Sequence, residues 1–202
     1  MRVFAALWPP ERVLDHLEIA LAEVIGPGAP ALGRVPRENL HLTLAFYGEI
    51  PDGAAPDVRA ALAEEATTTG PLALSLSGSG SFTDRTLWIG LAGEVTALTD
   101  LMVACARAPY AGVGDVRRPR PHLTVARTSR RAGAGSRAGH SRRRRDREAA
   151  GPSAVSVAAR ALAVYRGPDW VAEEIALVSS RLGEGPGGGP RYRTIDTLPL
   201  GQ

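Results

Sequence analysis

Two tetrapeptides, His41-Leu42-Thr43-Leu44 and His122-Leu123-Thr124-Val125, repeat nearly the same word at two distant places in the chain. Each falls in an alternating stretch that reads as a strand, residues 40–47 and 121–127, where successive side chains point to opposite faces. His41 and Thr43 therefore share one face and Leu42 and Leu44 the other, and His122 and Thr124 stand in the same way in front of Leu123 and Val125. Within one copy the imidazole and hydroxyl are about 6.5 to 7 Å apart. That spacing suits a Thr hydroxyl donating to a phosphoryl oxygen while the His reaches an apical one. Two such strands side by side hold one phosphate between two imidazoles. The matching chemistry is in-line displacement at phosphorus, in which one group takes a proton from the nucleophile and the other gives one to the leaving oxygen. Histidine suits both tasks, because its ordinary pKa of about 6.5 lets neutral and protonated rings coexist near neutral pH. A single copy is also consistent with an edge-strand histidine satisfied by a hydrogen bond. Recurrence with matching neighbours favours the chemical reading.

Other chemistries find less support. A metal site needs more ligands than two His, and neither His16, on a helical stretch, nor His140, in an Arg-rich one, has ligand spacing with the pair. The expectation is therefore no cofactor and no metal. No Ser-centred elbow or Cys/His pairing supports acyl transfer.

The elements that must carry the two strands are legible in the periodicity. Residues 2–7 read as a buried strand ended by Pro9 and Pro10, followed by an amphipathic helix through Val13, Leu14, Leu17, Leu21, Val24 and Ile25 that Gly26-Pro27 stops. Residues 56–68 and 95–108 predict helices, 72–77 and 86–91 short strands, 153–164 a helix, 171–180 a strand, 183–190 a Gly-rich hairpin-like turn and 192–198 a last strand. That turn lacks the Lys and following helix of a phosphate loop, so it predicts no nucleotide site. Strands and helices mixed without strict alternation point to an α+β fold with antiparallel sheets.

Composition sets the bounds. At 202 residues, 44% hydrophobic and 22% charged, the chain is long and apolar enough to bury a core, and the single Cys105 forms no internal disulfide. The apolar run at residues 3–8 is too short for a signal segment or membrane span, so a cytoplasmic protein is expected. All 24 basic residues are Arg, and nine of them lie between Arg127 and Arg147. Without that stretch and its Asp146 and Glu148 the body has 15 basic against 19 acidic residues, so the molecule as a whole is not a basic nucleic-acid glove. Residues 129–152 are built almost wholly of Arg, Gly, Ala and Ser and predict a solvated, flexible insertion, with a basic arm for RNA phosphates as the alternative.

Taken together, the sequence resembles the two-histidine (2H) phosphoesterase superfamily, and within it the RNA 2',3'-cyclic phosphodiesterases, historically called 2'-5' RNA ligases. Besides the two tetrapeptides, the resemblance rests on RVFAALWPPE, PRENLHLTLAFYGEI, TLWIGL, RPHLTVAR and SSRLGEGPGGGPRYRTIDTLPL, in that order along nearly the whole chain. It implies one domain over residues 1–202 made of two lobes related by a pseudo-twofold axis, each supplying one motif to a central groove lined by antiparallel sheets with helices outside. It implies hydrolysis of a terminal 2',3'-cyclic phosphate to a 2'-phosphate, with His41 as proton donor, His122 as proton acceptor, Thr43 and Thr124 on the phosphate oxygens, and 2',5' joining of RNA ends as a side activity. The insertion at residues 129–152 departs from the family's shorter, less basic connection.

Around the second motif, Arg120 is the candidate phosphate partner. Arg127, five residues after His122, falls on the opposite face of a regular strand. Tyr47 shares the parity of His41 and is the candidate base-stacking residue, whereas Phe46 and Trp88 read as packing residues. The expected substrates are RNA ends or small cyclic nucleotides, handled by a monomer away from membranes. Two alternatives stay open: a cyclic phosphodiesterase of a small ester such as ADP-ribose cyclic phosphate, and a non-catalytic RNA-binding module.

Overall fold

A strand with every residue after the first buried must be covered on both faces. Strand β1 (Arg2–Leu7) is such a strand: Val3 to Leu7 are at most 1% exposed. In the computed structural model, which describes residues 1–26, 32–51, 53–112, 119–128 and 152–201, it lies inside a nine-stranded sheet in which every pairing is antiparallel. The other strands are β2 (Leu32–Arg34), β3 (Leu42–Glu49), β4 (Leu72–Phe82), β5 (Thr86–Gly93), β6 (Leu123–Thr128), β7 (Arg166–Ala172), β8 (Glu174–Arg181) and β9 (Arg191–Pro199). Their order across the sheet is β7-β4-β5-β6-β3-β1-β8-β9, with β2 added on β6. The sheet thus divides into two four-stranded halves that meet where β3 joins β6.

That junction is a single register pair, Leu42 with Leu123. It continues a row of buried aliphatic side chains, Leu7-Leu42-Leu123-Ile89, each at most 2% exposed, on the face covered by helices. The halves on either side match over four register pairs. β1 meets β3 through Leu7 with Leu42, Ala6 with Thr43, Ala5 with Ala45 and Phe4 with Phe46. β5 meets β6 through Ile89 with Leu123, Trp88 with Thr124, Leu87 with Ala126 and Thr86 with Arg127. Both ladders slip by one residue at the same place, after the Thr of the motif, and the β1–β3 ladder slips once more between Phe46 and Gly48. A β-bulge of this kind reverses the side-chain parity of the residues beyond it, up to the next slip.

Helices cover the outer face. α1 (Glu11–Val24) packs on β7 and α4 (Ala154–Ala161) on β4 and β5, while α2 (Ala55–Thr68) packs on β8 and β9, and α3 (Val95–Cys105) on β3. α1 buries Val13, Leu14, Leu17 and Leu21, the stripe its periodicity predicts. α4 is capped by Ser153, whose hydroxyl accepts from the Ser156 amide. The inner face carries a smaller apolar floor of Phe4, Ala6, Ala176 and Val178, flanked by Trp8 and Tyr192. Among the described residues no helix is long and apolar enough to cross a membrane.

The α+β expectation holds, and two elements differ from the sequence reading. The stretch 171–180 is two strands: β7 and β8 stand six positions apart in the sheet order yet are separated only by Glu173. The sheet therefore curls until its β7 edge approaches β8, and a one-residue break leaves the apolar alternation that reads as one strand. β2 is an addition; its three residues, LGR, carry too little periodicity to register. Residues 129–151, which hold most of the expected basic insertion, lie outside the described residues.

Candidate active site

His41 and His122 each stand one residue before their strand, in extended chain leading into β3 and β6, and both face the concave side. Extending the Leu42–Leu123 register by one residue each way sets His41 across from Thr124, and Thr43 across from His122. The four polar side chains of the two tetrapeptides therefore cluster at the junction of the halves, on the face opposite the leucines.

The surroundings of the two rings are alike. His41 Nδ1 donates to the Asn39 carbonyl at 2.8 Å, and His122 Nδ1 donates to the Arg120 carbonyl at 2.8 Å, in both cases two residues back. A carbonyl can only accept, so the proton on Nδ1 is fixed and Nε2 is left for chemistry. His41 is walled by Phe4, Trp8 and Tyr192, with ring centroids 4.9, 5.4 and 5.2 Å away, and Tyr192 stands edge-on. His122 is walled by Phe82 at 4.9 Å and Trp88 at 6.3 Å. Trp88 lies across Gly80 of β4, where a Cβ would overlap its ring.

These apolar walls set the protonation state. Burial pushes the His41 ring down to about 4, against the bond to Asn39, with the charges of His122 and Arg127 pushing the same way as burial. Burial also lowers His122, opposed by its bond to Arg120 and reinforced by the charges of Arg127 and Arg120. Each imidazole without ligand is thus neutral near pH 7.

The approach to His41 is tied down on both sides. In a 3-10 turn at Arg37–Asn39, Arg37 reaches back to α1, bonding Glu11, Asp15 at 2.7 Å and Glu18 at 2.8 Å. The buried Asn39 side chain donates to the Pro190 carbonyl at 3.0 Å, which links the His41 backbone partner to the Gly-rich turn before β9.

Two expectations about groove residues are corrected, for one reason. Tyr47 is 3% exposed in the core and donates its hydroxyl to the Cys105 carbonyl at 3.1 Å, so it is no base platform. Phe46, 56% exposed, takes the groove face instead, with its ring 5.6 Å from Phe4. Likewise Arg127 pairs with Thr86 on the face of Thr124 and Trp88, close enough that its charge bears on both imidazoles and on Tyr192. The bulge in each ladder causes both reversals. Phe46 and Arg127 are each the fifth residue after their histidine, so the repeat itself marks them as equivalent, although neither copy announces its bulge. Arg120 stands at the groove wall, with its guanidinium 5.7 Å from the centre of the Trp88 ring. Tyr192 and Asn39 are site residues that sequence reasoning does not single out. Among the described residues no group of three or more His, Cys, Asp or Glu side chains is placed to hold a metal ion.

Comparison with known proteins bears on this geometry. A sequence profile of the 2'-5' RNA ligase superfamily matches residues 7–169. An RNA 2',3'-cyclic phosphodiesterase of Geobacillus stearothermophilus is 36% identical over 101 residues, which cover 46% of this chain and 31% of that protein. The chain thus spans about a third of that relative's length. An RNA 2',3'-cyclic phosphodiesterase of Archaeoglobus fulgidus is 29% identical over 137 residues, 65% of this chain and 74% of that protein. Among solved structures, TT0787 of Thermus thermophilus superposes with a TM-score of 0.65 at 26% identity, covering 100% of this chain and 98% of that one. LigT of E. coli in complex with 3'-AMP superposes with a TM-score of 0.61 at 21% identity over the same shares, a likeness of fold.

Proposed function

The chain belongs to the 2'-5' RNA ligase superfamily, and from that premise we propose that it hydrolyses the 2',3'-cyclic phosphate at an RNA end to a 2'-phosphate. The observation that carries this reading is the pair of imidazoles in matching settings across the Leu42–Leu123 pair, each with Nδ1 fixed and Nε2 free. In the proposed reaction His122 Nε2 takes a proton from water, the water oxygen attacks phosphorus, and His41 protonates O3' as the P–O3' bond breaks. Thr43 and Thr124 donate to the non-bridging oxygens, and Arg127 balances the charge that grows on them.

Free His41 is held neutral, whereas its role here needs a proton. The bound phosphodiester anion supplies the opposite charge that raises the ring's pKa, so His41 acquires its proton in the complex. With a 5'-hydroxyl in place of water as the nucleophile, the same steps join RNA ends through a 2',5' linkage as the P–O3' bond breaks, the expected side activity. Phe46, exposed on the groove face beside the site, offers the terminal base a stacking surface.

The test is an RNA oligonucleotide ending in a 2',3'-cyclic phosphate, incubated with the protein in excess EDTA and analysed for the position of the product phosphate. A 2'-phosphate formed at an undiminished rate is expected. A 3'-phosphate product would exchange the roles of the two histidines, and turnover lost in EDTA and restored by a divalent ion would overturn the metal-free mechanism.

A further inference from the structure

The apolar floor that carries His41 continues past the site into a strongly basic cleft. On β1, Arg2, Phe4 and Ala6 share the groove face, and the cross-strand partners of Arg2 and Phe4 extend that face over β8 and β9. Phe4 pairs with Val178 and Val178 with Thr194; one row further on, Arg2 pairs with Ser180 and Ser180 with Tyr192. Phe4 and Tyr192 both touch the His41 ring. The Arg2–Ser180–Tyr192 row therefore lies two residues, about 6.5 to 7 Å, beyond the row that supports the catalytic imidazole. That step is of the order of the separation between neighbouring phosphates along a single RNA strand.

This row opens on a cavity of about 900 Å³ whose lining includes Arg2, Arg181, Arg191, Tyr192, Arg193 and a single acid, Glu184. Glu184 pairs with Arg181 at 3.6 Å; among the described residues Arg191 and Arg193 make no ion pair, and Arg2, whose register partner on β3 is Glu49, makes none within 4 Å. Burial raises the Tyr192 phenol, while the charges of Arg127 and Arg2 act against it, so that ring is within reach of both the arginine beside the histidines and the one in the cleft.

We propose that Arg2, with Tyr192 and Ser180, forms a second anion subsite that takes the phosphate on the 5' side of the terminal nucleotide, making the substrate an RNA strand rather than a lone cyclic mononucleotide. This rests on the reading of the site as a cyclic phosphodiesterase and adds its substrate preference. Tyr192 joins the two places, with its ring against His41 and its own residue in the lining of the cleft. The specificity is electrostatic and independent of base identity, as backbone recognition of single strands requires.

Two measurements, one of binding and one of turnover, separate this subsite from the parent reading. In the first, affinities for adenosine 2'-monophosphate and adenosine 2',5'-bisphosphate are measured by calorimetry on wild-type protein and on Arg2→Gln. The bisphosphate should bind about tenfold more tightly to wild type, and the ratio should fall towards one in Arg2→Gln, as loss of one charge-assisted contact requires. Equal affinity in wild type, or an unchanged ratio in Arg2→Gln, overturns the subsite. In the second, kcat/KM is compared for adenosine 2',3'-cyclic phosphate and for the dinucleotide ending in the same group. A wild-type preference for the dinucleotide that Arg2→Gln narrows supports the subsite, and no preference overturns it. An intact binding ratio with neither ester hydrolysed would retain the subsite and remove the cyclic phosphodiesterase reading instead. Arg2→Lys should keep most of the affinity ratio, because the second site needs a charge at that position.

Discussion

Each candidate catalytic histidine is defined by two contacts, a carbonyl two residues back and an aromatic wall. The wall holds the ring neutral until an anion arrives, and this has a consequence for stability. Because the His41 ring is lowered from 6.5 to about 4 in the folded protein, the unfolded chain binds the proton more readily between those values. Stability contributed by the neutral ring is fully present above about pH 6.5 and declines as pH falls towards 4. Denaturant unfolding should therefore show a loss of stability over that interval which His41→Asn diminishes. Replacing either His41 or His122 by Ala should lower kcat/KM about a hundredfold to ten-thousandfold, with an unchanged circular dichroism spectrum. The adjacent aromatics should separate cleanly. Phe46→Ala should raise KM while leaving stability within about 0.5 kcal/mol of wild type. Tyr47→Phe should cost about 1 kcal/mol, by removing the bond to the Cys105 carbonyl, and leave KM alone.

At the level of strands and helices, most of what positions the site is legible in alternation and helical spacing. Those patterns place β1, α1, β3 and β6, and with them the facing of His41, Thr43, His122 and Thr124. What the pattern does not carry is the bulge after each motif, because an extra residue in a strand has no composition of its own and is fixed by the partner strand it slips against. That one local event decides which of Phe46 and Tyr47 meets the substrate, and turns Arg127 into the groove. Tyr192 is out of reach for another reason: its contact with His41 spans most of the chain and depends on the sheet curling. The flat seat of Trp88 on Gly80 gives an element-scale prediction. Gly80→Ala should cost about 1 to 3 kcal/mol through overpacking, and should lower kcat more than KM because the displaced ring is a wall of His122.

Over the whole molecule, two halves of one sheet meet at a single leucine pair, and the reactive groups of both are brought within a few residues of that pair. Each half holds its own histidine through a backbone carbonyl and an aromatic wall. The single pair makes the junction sensitive. Leu42→Ala should cost about 2 to 5 kcal/mol, as other buried leucine deletions do, and disturb both rings at once. The charge of the molecule is likewise divided: the body outside residues 127–147 is slightly acidic, yet Arg2, Arg181, Arg191 and Arg193 line the cleft, so anion affinity there should fall with added salt. The central claim is that both imidazoles serve one phosphoryl centre. It is tested most directly by following the ring signals of His41 and His122 by NMR while adenosine 2'-monophosphate is titrated in. One equivalent should saturate both shifts together and raise the pKa of His41, whereas a response from only one ring, or different saturation points for the two, would contradict the account.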